Sequence, residues 1–141
     1  MAYDIQLNLP APWRKETETY DDESGAEVTH LEARLDDKAL IDIYAGDMPS
    51  DMTAEDQAYS NYADIVGFAE DDPEDFNPIS QIKFKNRSAY VFHALCEDES
   101  PMMFLSQEIR KGVLIIMCCA GKDDDVLQDT VLLVERNLRV K

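Results

Sequence analysis

Apolar and polar residues alternate along four segments in the first half of the chain, which is the pattern of half-buried β-strands. The segments are residues 3–9, 15–20, 29–35 and 39–45. Turn-forming residues separate the later ones, at Asp21 to Gly25 and at Asp36-Asp37-Lys38. Because the loops between these strands are short, we expect the strands to pair in a meander of antiparallel hairpins.

The period changes to that of an α-helix at two places. Thr53 is suited to an N-cap, and the apolar residues after it recur at helical spacing, which predicts a helix over residues 54–67. A second helix is predicted after the acidic run that begins at Asp123. Its apolar stripe consists of Leu127, Val131, Val134 and Leu138.

The second half contributes four more predicted strands before the last helix. They lie around residues 82–85, 89–96, 102–109 and 113–120. The second and fourth of these are apolar on both faces, which is typical of strands in the middle of a sheet covered on both sides. We therefore predict an α+β fold, a single domain over residues 1–141, in which a mainly antiparallel sheet is flanked by two helices.

The acidic charge is concentrated in one continuous part of the chain. The 141 residues carry 30 acidic and 13 basic side chains, a formal net charge of −17. Residues 16–75 hold 20 of the acids and only 2 of the bases. A chain this acidic is a poor candidate for binding nucleic acid or an anionic membrane, because both require cationic patches. The excess of acidic residues is explained either by a need for solubility or by a surface that binds a basic partner.

The chain shows no signals for export or for crossing a membrane. Its first nine residues contain no basic residue and no long apolar run, unlike a signal peptide, and no segment approaches the ~20 apolar residues of a membrane-spanning helix. Cys96, Cys118 and Cys119 are odd in number and form no CxxC pattern. We expect a cytoplasmic protein whose cysteines are reduced and serve as small apolar side chains.

Searches for catalytic and ligand-binding motifs give no strong candidate. His93 is expected on an apolar strand, buried and two strands from Cys118 and Cys119, about 9–10 Å away, which is too far for a direct hydrogen bond. His30 is expected at the surface. Phosphate-loop, dinucleotide, zinc and EF-hand patterns are not met, so no cofactor is predicted. A loose calcium site at residues 70–75 and an enzyme based on paired carboxylates or a metal stay open as alternatives.

The order of elements resembles that of PsbP/DcrB-like domains. The likeness lies in an opening strand that ends in Pro10 to Trp13, an acidic-capped helix with tyrosines and alanines between Ala58 and Val66, and a strand pair around Asn86-Arg87-Ser88-Ala89-Tyr90. The resemblance implies a three-layer α/β/α sandwich and a non-enzymatic role, as in small uncharacterised bacterial members of that group. It implies no particular functional residue, since fold alone does not carry function.

These observations favour a non-enzymatic cytoplasmic binding or adaptor protein with an acidic surface for a basic or amphipathic protein partner. An immunity-type inhibitor of a basic toxin is the alternative within the same class. The first candidate contact residues are Asp71, Asp72, Glu74 and Asp75, and the second are Asp21, Asp22 and Glu23. Contacts of this kind act mainly through electrostatic attraction, so binding should weaken as salt is added.

Overall fold

The computed structural model describes residues 3–67 and 78–141, which form nine strands and two helices. The strands are β1 (Ile5–Leu7), β2 (Arg14–Asp21), β3 (Glu27–Leu35), β4 (Ala39–Asp47), β5 (Ser80–Phe84), β6 (Arg87–Leu95), β7 (Pro101–Arg110), β8 (Val113–Gly121) and β9 (Leu138–Val140). The helices are α1 (Ala54–Ile65) and α2 (Asp124–Asn137). All the predicted elements are present. The strand β9 is an addition, and it begins at Leu138, which the sequence pattern had assigned to the last helix.

Seven of the strands form one antiparallel sheet in the order β2-β3-β4-β8-β7-β6-β5. The strand β8 occupies its centre, as its apolar residues on both faces predicted. The helix α2 packs on one face of this sheet and α1 packs on the other. The predicted α+β class is therefore confirmed, as a sandwich of helix, mainly antiparallel sheet and helix.

The first strand does not join the meander that the alternation predicted. It pairs antiparallel with β9 in a separate two-stranded sheet, with Leu7 opposite Leu138. Both of these leucines are about 1% exposed or less, and they belong to the core beneath α2. The turn that contains Pro10 and Trp13 separates β1 from β2. It places β1 on the same side of the large sheet as α2.

The two faces of the large sheet are covered to different extents. On one face, α2 and β1 pack over the central strands and bury a continuous apolar core that includes Ile43, Leu105 and Met117. On the opposite face, α1 lies mainly over β6 and β7, where the rings of Tyr62 and Phe92 meet edge to face at a centroid distance of 5.3 Å. The half of that face formed by β2, β3 and β4 has no described helix or strand above it.

The sequence-predicted capping residues fix where both helices begin. Thr53 Oγ1 accepts a hydrogen bond from the backbone of Asp56, and the Asp56 carboxylate accepts one from the backbone of Thr53. The carboxylate of Asp123 caps α2 in the same way, by accepting from the backbone of Val126. The helix α1 ends at Ile65, two residues earlier than predicted.

The approach of α2 to β8 depends on the absence of a side chain at Gly121. A Cβ added there would lie 2.5 Å from the backbone nitrogen and 2.9 Å from the Cα of Leu127. We predict that Gly121→Ala lowers the free energy of unfolding by about 1–3 kcal/mol, because the backbone of α2 has to move. Urea denaturation followed by circular dichroism measures this loss.

Gly46→Ala is the matched control. The nearest atoms to a Cβ at Gly46 are 3.7 Å away, in ordinary van der Waals contact. The free energy of unfolding of Gly46→Ala should change little. Equal losses of this free energy in Gly46→Ala and Gly121→Ala would contradict the close approach of α2 to β8.

Candidate functional site

Charged side chains collect on the part of the sheet that α1 leaves uncovered. We define the acidic face as the side chains that surround His30 on this surface, namely Glu16 and Glu18 of β2, Glu32 of β3 and Asp42 of β4. The carboxylate of Asp42 is notable because its strand is otherwise nearly apolar and its two neighbours, Ile41 and Ile43, are fully buried on the other side. The acidic face thus extends from an exposed edge strand to the half-buried middle of the sheet.

The registers of two successive hairpins bring these residues together. In the β2–β3 hairpin, Glu18 lies opposite His30 and Glu16 lies opposite Glu32. In the β3–β4 hairpin, Glu32 lies opposite Asp42, which places Asp42 diagonal to His30. Residues two apart on a strand share a face, so all the members of the acidic face point to the same side.

The imidazole of His30 is held from three directions. Its Nε2 lies 2.8 Å from Oδ1 of Asp42, and its Nδ1 lies 3.2 Å from Oε1 of Glu18. Its ring stacks on Tyr44, with the ring planes 3° apart and the centroids 4.2 Å apart. Only 12% of the His30 side chain is exposed. The ring is therefore fixed in position and orientation, and both nitrogens face carboxylate oxygens.

The surrounding carboxylates favour the protonated form of nearby groups. Burial alone would lower the pKa of His30, but the hydrogen bonds to Asp42 and Glu18 outweigh burial, and the pKa is raised above its ordinary value. Burial raises the pKa of the Tyr44 hydroxyl, and the charge of Asp42 raises it further. Burial and the charge of Glu18 likewise raise the pKa of the Tyr20 hydroxyl. The acidic face is thus a region of negative potential.

Two arginines at one side of this surface balance part of its charge. Arg34 Nε donates to Glu32 Oε1 over 2.6 Å, and Arg14 lies opposite Arg34 in the β2–β3 register. Glu32 keeps a second carboxylate oxygen beyond this contact. The four carboxylates of the acidic face exceed the two arginines, so the surface is suited to binding a cationic group.

The structure places only part of the predicted contact residues. Asp71, Asp72, Glu74 and Asp75 lie outside the described residues, as does the loose calcium site proposed for residues 70–75. Asp21, Asp22 and Glu23 are exposed at the turn between β2 and β3. Within this turn, the Asp22 carboxylate accepts hydrogen bonds from Ser24 and from the backbone of Ala26, which lower its pKa. Asp22 therefore stabilises the turn itself.

His30 and His93 both differ from their predicted environments. His93, expected to be buried, is exposed because it lies near the open end of the groove between β5, β6 and α2. His30, expected at the surface, is mostly buried among its partners. The signal that sequence reasoning missed is Asp42, a single carboxylate in the middle of an apolar strand, since such a group needs a polar partner.

The three cysteines are free, and Cys119 is buried as expected, whereas Cys96 and Cys118 are only partly buried. Met103 separates His93 from Cys119 across the sheet, in agreement with the predicted separation of two strands. Burial raises the pKa of the Cys118 thiol to about 12, with a smaller effect from Asp42. Cys119 is fully buried, and burial raises the pKa of its thiol as well. Neither thiol is prepared to act as a nucleophile.

The contacts of His30 predict a pH dependence of stability. Because its folded-state pKa is raised, protonated His30 stabilises the protein fully below the unfolded value of about 6.5, and this contribution is lost as pH rises through the folded value. We expect Asp42→Asn to lower the pKa of His30 and to flatten this decline. Histidine NMR titrations and urea denaturation in metal-free buffer at several pH values provide the measurements.

Asp129→Asn serves as the control, because it removes one carboxylate from the exposed surface of α2 on the other side of the sheet. It should leave the titration of His30 unchanged. An unaltered His30 titration in Asp42→Asn would contradict the assigned contact.

Comparisons with known proteins leave the chain without an assigned family. No family model matches it, no curated protein matches it, and no solved structure matches it. Within residues 3–67 and 78–141, neither helix has the length and apolar content needed to cross a membrane. Any functional conclusion therefore rests on the chemistry of this chain's own residues.

Proposed function

We propose that this chain is a non-enzymatic binding or adaptor protein that presents an acidic surface to a basic or amphipathic protein partner. The observation that carries the proposal is the acidic face, a set of carboxylates on a sheet surface that no described element covers. A cationic partner would gain contacts with these carboxylates, and the negative potential would speed its approach.

The distribution of charge along the chain supports the same proposal. The net charge of residues 16–75 is strongly negative, whereas the remaining residues are nearly neutral. This segment includes the acidic face, the β2–β3 turn with Asp21 and Glu23, and the acidic residues 70–75. A need for solubility alone would spread the acidic residues over the whole chain. Their concentration in one segment therefore favours a binding surface.

The edge strand β2 adds a second feature that a partner could use. All eight of its residues are exposed, and its outer side has no neighbouring strand among the described residues. Charged side chains on such an edge hinder pairing with other chains in general. A partner with basic residues at alternate positions would match Glu16 and Glu18, which share one face of this strand.

The resemblance to PsbP/DcrB-like domains remains part of the proposal. Its support is the sandwich of helices around a mainly antiparallel sheet, which agrees with what the resemblance implies, although fold likeness carries no function. We also infer a cytoplasmic location. Its support is the free state of the three cysteines.

The proposal predicts that partner capture depends on salt and on the acidic face. A pull-down from native lysate at about 50 mM and about 300 mM NaCl compares the native chain with a face variant. That variant carries Glu16→Gln, Glu18→Gln and Glu32→Gln. We expect a basic protein that is captured at low salt, is largely lost at high salt, and binds the purified face variant at least about tenfold more weakly.

A charge-matched control separates a specific surface from net charge. It carries Glu97→Gln, Asp125→Asn and Asp129→Asn, which remove the same number of carboxylates from exposed positions elsewhere. A further variant changes Asp71, Asp72, Glu74 and Asp75 to the corresponding amides and tests the first predicted contact set. Equal binding by the native chain, the face variant and this further variant, or binding that does not respond to salt, would remove the electrostatic proposal.

A further inference from the structure

One imidazole and two carboxylates converge at one point of the acidic face. His30, Glu32 and Asp42 each offer one ligand atom, and these atoms all lie within 4.8 Å of one another. Ligand atoms bound at 2.0–2.2 Å to one ion in the tetrahedral arrangement of Zn²⁺ lie about 3.3–3.6 Å apart. Nε2 of His30 and Oδ1 of Asp42 are now 2.8 Å apart, a hydrogen-bond distance, so they need to separate by only about 0.5–0.8 Å. Side-chain rotations that shorten the longer separations, none of them above 4.8 Å, would complete the set.

The histidine has the outer contact that metal-bound histidines usually have. In such sites the ring nitrogen that does not touch the ion donates a hydrogen bond to a carboxylate or carbonyl group, which fixes the tautomer and the ring orientation. Here Nδ1 of His30 faces Oε1 of Glu18 at 3.2 Å. Stacking on Tyr44 holds the ring plane. The contact with Glu18 leaves Nε2, the nitrogen nearest Asp42, as the ligand.

The burial and the charge of the cluster also suit a divalent ion. His30, Glu32 and Asp42 are all intermediate in exposure, so the site is accessible to an ion and is partly screened from water. The acidic face has four carboxylates against Arg14 and Arg34, an excess that one divalent ion would neutralise. Arg34 contacts only one of the two carboxylate oxygens of Glu32, and the other oxygen of Glu32 remains for the ion.

We propose that His30, Glu32 and Asp42 form a binding site for a divalent transition-metal ion, with Glu18 as the outer carboxylate that orients His30. One imidazole with two carboxylates suits Zn²⁺ better than Mg²⁺, which prefers oxygen ligands alone and retains its water molecules. Three protein ligands leave a coordination position for water or for a group from another molecule. Binding releases the proton between Nε2 and Asp42 to the solvent, and the ion takes its place.

The first test is a titration of the untagged full-length chain with Zn²⁺ at neutral pH and physiological salt, without any second protein. We expect one ion per chain and an affinity for Zn²⁺ at least tenfold above that for Mg²⁺. In a histidine NMR spectrum of the same sample, the Nε2 signal of His30 should shift and that of His93 should not. This readout needs no variant and is unaffected by differences in folding.

Matched variants then assign the ligands. His30→Gln and Asp42→Asn should each raise the Zn²⁺ dissociation constant at least tenfold. Their controls are His93→Gln and Asp129→Asn, exposed residues of the same types elsewhere on the protein, which should leave it unchanged. Glu18→Ala should raise it by about tenfold, as expected for an outer partner. Circular dichroism with a chelator present verifies that each variant is folded.

Several results would overturn the site. These are a His30 signal that does not respond to Zn²⁺, equal affinities for Zn²⁺ and Mg²⁺, or equal losses in His30→Gln and His93→Gln. Each would mean that ions gather diffusely on an acidic surface. Because the titration contains no partner, failure here leaves the proposed adaptor function standing, and failure to capture a partner leaves the metal site standing.

Discussion

The packing of α2 against the central strands β4 and β8 is the constraint on which the rest of the arrangement depends. It buries an apolar surface that runs from β3 to β7 and brings the backbone of α2 against Gly121. The end of α2 continues directly into β9, which pairs with β1 and closes the same layer. One face of the sheet therefore carries most of the apolar burial, and burial of this kind is the main contribution to stability.

The opposite face is free to hold charge because α1 is short and lies to one side of it. The aromatic contacts among Tyr62, Phe92 and Phe104 anchor α1 over β6 and β7. Over β2 to β4, the uncovered face carries His30, carboxylates and arginines together with the rings of Tyr20 and Tyr44. The mutual repulsion of the carboxylates costs stability, and the contacts of His30 with Asp42 and Glu18 offset part of it. This cost is a reason to infer that the acidic face has a role beyond folding.

Much of the fold could be predicted from the sequence. Most strands and helices bury one side against the core, and this burial gives their apolar residues a regular spacing. Alternation predicted β2 to β4, and apolar residues on both faces correctly indicated that β8 is central. The same pattern was misleading for β6, which lies next to the edge strand β5 and has exposed residues. The pairing of β1 with β9 could not be predicted, since β1 has the same alternation as the strands of the large sheet and β9 is a three-residue strand directly after α2. The exposure of His93 escaped prediction for a related reason: it depends on how far α2 extends over the sheet edge.

The candidate site was recoverable in principle from the two turns that flank β3. A hairpin turn fixes which residues face each other, so the turns near Ser24 and Asp37 determine that Glu18 opposes His30 and that Glu32 opposes Asp42. Both proposals use carboxylates on the same face of the sheet. The ion and a basic side chain of a partner would therefore compete for these carboxylates, unless the partner supplies a ligand to the ion. In that case the open coordination position joins the two proposals, because a carboxylate or imidazole of the partner could complete the metal's coordination.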